Sequence, residues 1–172
     1  AIPLFVLMAR FLSDSGVTDK MFEALRHLMA NVRGGLGLAV VFISILLAAT
    51  TGIIGASITV MGVMALKPML QYGYDKRLTT GLIGASGCLG ILIPPSIMLI
   101  LMASYAPGLS VGELFAGAML PGLLLGLMYG VYVYLLAVFR PDQAPRIAES
   151  EQISRSEMWR MLIVEAVPPL VL

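Results

Sequence analysis

Hydrophobic positions fill this chain in long runs: residues 36–66 and 78–112 carry no charge at all, and between Arg77 and Arg140 only Glu113 is charged. Residues 78–112 number 35, well beyond the roughly 20 that one helix needs to cross a bilayer. Gly87, Gly90, Pro94 and Pro95 interrupt that run at its middle. A proline pair removes two backbone donors and restricts the residue before each ring, so no α-helix passes through it undisturbed. In lipid, broken backbone is tolerated only where it is packed in protein or lines a watery cavity. The pattern predicts a discontinuous transmembrane helix over 78–104. Its first arm is small and close-packing, through Gly81, Gly84, Ala85, Ser86 and Gly87, and Pro94-Pro95-Ser96 open the first turn of its second arm.

Residues 36–66 are 31 in number, long for one crossing and short for two, which need about 40 plus a turn. Interruptions fall at Thr50-Thr51-Gly52 and Gly55-Ala56-Ser57. Two arms of about 14 residues each rise about 21 Å, enough to pass mid-membrane and return. This predicts a re-entrant helical hairpin with its tip at 50–57, against the alternative of one tilted span. Charge placement favours the hairpin. Arg140, Arg146, Arg155 and Arg160 follow the span at 113–139 and are expected on the cytoplasmic side. Tracing back, the link after Ser104 has no basic residue and falls outside, so Lys67, Lys76 and Arg77 fall inside. Lys20, Arg26 and Arg33 prefer the inside too, and both ends of 36–66 share a face only in a hairpin.

The remaining elements follow. Residues 1–12 read as the end of a transmembrane helix. Residues 13–35 hold an amphipathic interfacial helix over 18–33, with a stripe of Met21, Phe22, Leu25, Leu28, Met29 and Val32, a Thr18 cap, and Gly34-Gly35 as its stop. Residues 67–77 form a cytoplasmic loop. Residues 113–139 form a conventional span, bent at Pro121-Gly122, with Tyr129, Tyr132 and Tyr134 toward its cytoplasmic half. A cytoplasmic loop and interfacial segment with Trp159 cover 140–166, and 167–172 begins a further span. Both termini read as cut ends of a longer membrane protein.

Composition agrees with an all-α polytopic membrane protein. Hydrophobic residues make up 59% and charged ones 12%, far from the usage of a soluble α/β domain. A net charge of +1 with no basic cluster argues against nucleic acid as a partner. The lone cysteine, Cys88, excludes an internal disulfide and reads as a small buried hydrophobe. The lone histidine, His27, reads as a surface residue. No Walker loop is present, so the chain does not itself hydrolyse ATP, and nothing suggests an enzyme or a bound cofactor.

The chemistry that remains is that of a secondary transporter. Such proteins expose backbone dipoles to ions and substrate where helices break near mid-membrane. Unwound carbonyls with a Thr or Ser hydroxyl hold sodium without a formal charge, and helix N-termini meet anions. The candidates for an ion and substrate region are Thr50, Thr51, Gly52, Gly55 and Ser57 at the tip, and Ser86, Gly87, Gly90, Pro94 and Ser96 at the break. Gly62, Gly81 and Gly84 read as helix-packing residues, and Glu113 as interfacial. No ionisable residue lies within 36–66 or 78–112, which argues against a proton-relay pump.

The run GILIPPSIMLILMA at 90–103, after Gly73-Tyr74-Asp75-Lys76-Arg77 and Leu78-Thr79-Thr80-Gly81, resembles the large membrane subunit of the tripartite ATP-independent periplasmic (TRAP) transporters. AIPLF at 1–5, TGIIGAS at 51–57 and LFAGAMLPGLLLG at 114–126 fall in that family's order and spacing. The resemblance covers nearly the whole chain and matches the first of the family's two inverted repeats. It implies an elevator-type, sodium-coupled importer in the bacterial inner membrane. Its partners would be a small membrane subunit and a periplasmic substrate-binding protein that delivers a small organic acid. It implies an ion-site role for 51–57 and 87–96, and a scaffold-arm role for helix 18–33. Many members carry consecutive serines where this chain has Ile53 and Ile54, so carbonyls with Thr50, Thr51 and Ser57 are the expected ligands. Two other readings stand beside it: a permease of another ion-coupled organic-anion family that needs no binding protein, and a non-transporting scaffold protein.

Overall fold

The computed structural model describes residues 7, 11, 22, 23, 25, 26, 29, 32–105, 108 and 110–145, apart from the side chains of Thr50 and Thr51. The structure is helical throughout these residues. Six helices follow one another: α1 (Gly35–Thr51), α2 (Ile54–Gln71), α3 (Lys76–Gly87), α4 (Leu89–Leu92), α5 (Ile97–Tyr105) and α6 (Val111–Phe139).

Helix α1 is uncharged on every face and lies at the centre, packed against α2, α3, α4 and α6. Leu36, Ala39, Val40, Ile43, Leu47 and Ala48 are buried along it, as expected for a helix apolar all round. Gly34, at φ +71°, precedes it, and Gly52, at φ +60°, ends it by donating its N–H to the Ala48 carbonyl at 3.2 Å. Helix α2 resumes at Ile54 after only two residues. It buries Ser57, Met61, Ala65 and Met69, a four-residue stripe on one face.

Helix α2 runs on through Lys67 and Pro68 to Gln71, past the expected end of the hairpin at 66. Gly73, at φ +80°, then turns the chain, and Tyr74 donates its backbone N–H to the Met69 carbonyl at 3.0 Å. The Tyr74 ring is buried beside the start of α1, 3.7 Å from where a Cβ on Gly37 would stand. Burial pushes its phenol up to about 12, with the backbone of Gly37 and Leu36 pulling the other way. Tyr74 follows α2 by three residues and touches the first turn of α1, so the two arms begin and end at the same level. The segment 35–71 is a hairpin.

The helix after the turn starts at Lys76 because Asp75 caps it, its carboxylate accepting from the Arg77 and Leu78 N–H groups at 2.8 and 3.1 Å. The segment Lys76–Leu92 then meets Ile97–Tyr105 at a bend of 40°. The break occupies residues 93–96. Pro94 and Pro95 lie before the second arm, which starts at Ile97, whereas the sequence placed them in its first turn. Their missing donors and the restricted Ile93 (φ −88°, ψ 121°) stop α4.

Two helices among the described residues, Ile54–Gln71 and Val111–Phe139, are long and apolar enough to cross a membrane, and the bent pair makes a third candidate. The fold is that of an all-helical membrane protein. Outer helix α6 buries only Gly122, Gly126, Val133 and Ala137.

Of the expected interfacial helix, Phe22, Glu23, Leu25 and Arg26 are helical. Phe22 and Leu25 enter the core, and Arg26 donates to the Tyr72 hydroxyl at 3.2 Å and pairs with Glu23 at 2.9 Å. Val32 is exposed. Thr18, Met21, His27, Leu28, most of 1–12 and all of 146–172, Trp159 included, lie outside the described residues.

Two other expectations are corrected. Cys88 is exposed, not buried, because the α3–α4 junction turns it to the outer face, where its thiol donates to the Gly84 carbonyl at 3.3 Å. At Gly62, Gly81 and Gly84 a Cβ would meet no atom within 4 Å among the described residues, so the expected close packing is not seen there.

Candidate functional site

The hairpin tip and the break in the bent span come together in space. A Cβ added to Gly52 would collide with the Pro95 carbonyl oxygen and stand 3.4 Å from the Ile97 nitrogen. Five residues back along the bent span, a Cβ on Gly90 would stand 3.4 Å from Ser57 Oγ and 3.6 Å from the Ile53 carbonyl oxygen. A Cβ on Gly87 would collide with Ile58. The two broken elements touch at three successive levels, and at Gly52 and Gly87 the approach is one that only glycine permits without a shift. Helix α6 closes the far side, where Gly122 sits against Leu92 and Ile93.

Four helix ends converge at this junction. Helices α1 and α4 terminate there, at Thr51 and Leu92, and present carbonyl-rich, partially negative ends. Helices α2 and α5 begin there, at Ile54 and Ile97, and present N–H groups and partial positive charge. No ionisable side chain takes part, and no group of three His, Cys, Asp or Glu residues gathers among the described residues. The arrangement offers neutral oxygens to a small cation and helix N-termini to an anion, side by side.

The polar side chains described at the junction are hydroxyls. Ser57 is buried and its Oγ donates to the Ile53 carbonyl at 3.2 Å, one turn back on the tip itself. Ser96 is fully buried in the break, and its Oγ has no hydrogen-bond partner among the described residues. A buried hydroxyl left in that state costs about 1–3 kcal/mol, and the hydroxyl sits where α5 begins. Gly55 lies off the junction: it is exposed and a Cβ there would meet nothing. Pro94 is half-buried within the break. Thr50 and Thr51 form the last turn of α1, and their side chains lie outside the description.

Ser86 stands deeper, and the structure gives it a partner that sequence reasoning missed. Ser44 Oγ, on α1, donates to Ser86 Oγ at 3.0 Å, and Ser86 Oγ in turn donates to the Ile83 carbonyl at 3.4 Å. Both serines are fully buried. The pair ties the first arm of the hairpin to the first arm of the bent span below the junction. The available signal was that Ser44 is the one polar side chain in the apolar run 36–49.

Comparison with known proteins shows the family. The family model described as tripartite ATP-independent periplasmic transporter, DctM component, matches residues 1–172. The chain is 35% identical, over 95% of its length, to the C4-dicarboxylate TRAP transporter large permease protein DctM of Pseudomonas aeruginosa, of which it covers 39%. It is 34% identical over 95% of its length to the protein of that name from Vibrio cholerae, covering 37%. To the one from Rhodobacter capsulatus it is 38% identical over 73% of its length, covering 31%. The chain thus spans less than two fifths of the length of these relatives. With two broken helical elements touching at their breaks and a family model matched from end to end, the chain belongs to the DctM family of tripartite ATP-independent periplasmic transporters.

Proposed function

We propose that this chain is part of the large permease subunit of a sodium-coupled secondary transporter. The transporter imports a small organic acid, a dicarboxylate, keto acid or similar, across the bacterial inner membrane. A periplasmic binding protein delivers the acid, and a small membrane subunit completes the membrane part. The observation that carries this reading is the contact of Gly52 with the Pro95 carbonyl, which brings two C-terminal and two N-terminal helix ends to one place beside the unpartnered Ser96 hydroxyl. Carbonyls at the ends of α1 and α4, with Ser57 and Ser96, suit sodium. The starts of α2 and α5 suit a carboxylate. Thr50, Thr51, Gly52, Ser57, Gly90 and Ser96 would line the region, with Ser86, Gly87 and Pro94 supporting it and Gly55 outside it. The hairpin is re-entrant in this reading, and it moves with the bent span as one elevator body against the rest of the permease.

Membership of the family sets aside a permease of another organic-anion family. The relatives named for C4-dicarboxylate make that class of acid the first to try. The test is uptake by the whole reconstituted transporter with its binding protein. Replacing sodium by potassium should abolish uptake; undiminished uptake in potassium would sink the coupling. Uptake of free acid without the binding protein would remove the delivery step.

A further inference from the structure

At the level where Gly87 meets Ile58, two consecutive residues of α3 are held by the two arms of the hairpin. Ser86 Oγ accepts from Ser44 Oγ on α1 at 3.0 Å and passes its own proton toward the Ile83 carbonyl at 3.4 Å. Gly87, the next residue, lies so close to α2 that a Cβ there would collide with Ile58. Both serines are fully buried, and the core around them is apolar: Val40, Ile43 and Leu47 on α1, Leu82 and Ile83 on α3. Apolar burial is non-directional, so such a core tolerates more than one register of α3 against α1. A hydrogen bond does not. A slip of one residue moves a helix about 1.5 Å along its axis and turns it by about 100°, which separates the two hydroxyls. Within a membrane no water stands ready to replace the lost partner.

The register matters because both chains run on from this level to their breaks. Ser44 precedes the Gly52 turn by eight residues, a rise of about 12 Å, so its hydroxyl is out of reach of a cation held at the tip. Ser86 is followed by the rest of the bent span up to Pro95 and Ser96, which must arrive where Gly52 leaves room for the Pro95 carbonyl. We propose that the Ser44–Ser86 hydrogen bond is a positioning contact: it fixes the register of the bent span against the hairpin, and through it the approach of the Pro95 carbonyl and Ser96 to the tip. Neither serine is an ion ligand here. The effect on sodium rests on the function proposed above; the effect on register does not.

The test compares the unaltered full-length transporter with Ser86→Ala and with Ser44→Ala plus Ser86→Ala. Ser86→Ala strands the Ser44 hydroxyl, so the thermal midpoint in detergent should fall. The sodium concentration for half-maximal uptake should rise about threefold or more, as the loss of one interhelical hydrogen bond in a membrane protein implies. Removing both hydroxyls leaves an apolar contact and should restore the midpoint, while the raised sodium requirement stays. Recovery of both together would make the pair a stabilising contact only and overturn the proposal. A second readout needs no transport. Spin labels at Val63→Cys on α2 and Met98→Cys on α5, both exposed, are placed in a background with Cys88→Ser and no other cysteine. Their distance distribution should be narrow with both serines present and broader or shifted with both replaced. An unchanged distribution would overturn the positioning contact whether or not uptake needs sodium. A broadened one in a transporter indifferent to sodium would remove the coupling and leave the contact standing.

Discussion

At the hairpin tip the chain reverses across two residues, Gly52 and Ile53, whereas the bent span takes four, residues 93–96, to change direction by 40°. The tip depends on a backbone conformation. Gly52 holds φ at +60°, and its missing side chain is the space into which the Pro95 carbonyl fits. The break depends on missing donors: two prolines end α4 without packing tightly, and Pro94 and Pro95 are only half-buried. One break therefore has no tolerance for added atoms, and the other has no tolerance for added hydrogen bonds. That both meet at one place makes each the wall of the other.

The largest effect is expected where the tolerance for atoms is smallest. Gly52→Val places a branched side chain in a left-handed conformation costing about 1–2 kcal/mol and drives it into Pro95, adding about 1–3 kcal/mol of overpacking. Sodium-driven uptake should fall roughly a hundredfold or more, and the midpoint of thermal unfolding in detergent should drop. Near-normal uptake would show that the tip and the break do not touch in the working protein. Next comes Pro94→Ala with Pro95→Ala. Two donors return and the ring clash goes, so α4 and α5 tend to join. Membrane insertion should stay normal by fractionation while uptake falls by more than about tenfold.

The hydroxyls sharpen the comparison further. Ser96, without a partner among the described residues, gains most from an ion, whereas Ser57 already donates to the Ile53 carbonyl. Ser96→Ala should raise the sodium concentration for half-maximal uptake about five- to tenfold, the lower part of the range for a lost buried partner. Ser57→Ala should raise it less. The reverse order would move the ion toward the tip. The smallest effect belongs to Gly55→Ala. Gly55 is helical and open to space, so uptake should be unchanged and unfolding should shift upward by at most about 0.5–1 kcal/mol.

The two breaks were legible in sequence for different reasons. Proline pairs and uncharged length mark the span at 78–104 because a helix needs every donor and a bilayer has a set thickness. The hairpin showed in the mismatch between 31 residues and the length of one or two crossings. Its turn at Gly52 was one of several small residues between 50 and 57, and nothing local separated it from Gly55. Cys88 was misplaced for a related reason. An apolar run reports which residues avoid water, and in a membrane protein a lipid-facing residue avoids water as well as a buried one does.

Sequence alone was enough for the helical class, the membrane setting, the existence of both breaks and the neutral chemistry between them, since these follow from hydrogen-bond supply, run length and charge. Tertiary structure alone decided which glycines are contact points, that Ser44 reaches Ser86, that Ser96 has no partner among the described residues, and that α6 leaves a groove beside α1. Those are distances between residues as much as 103 positions apart, as between Gly34 and Ala137. Similarly apolar helices, α1 and α6, end up buried in one case and largely exposed in the other, because composition sets what a surface tolerates and only packing sets what covers it.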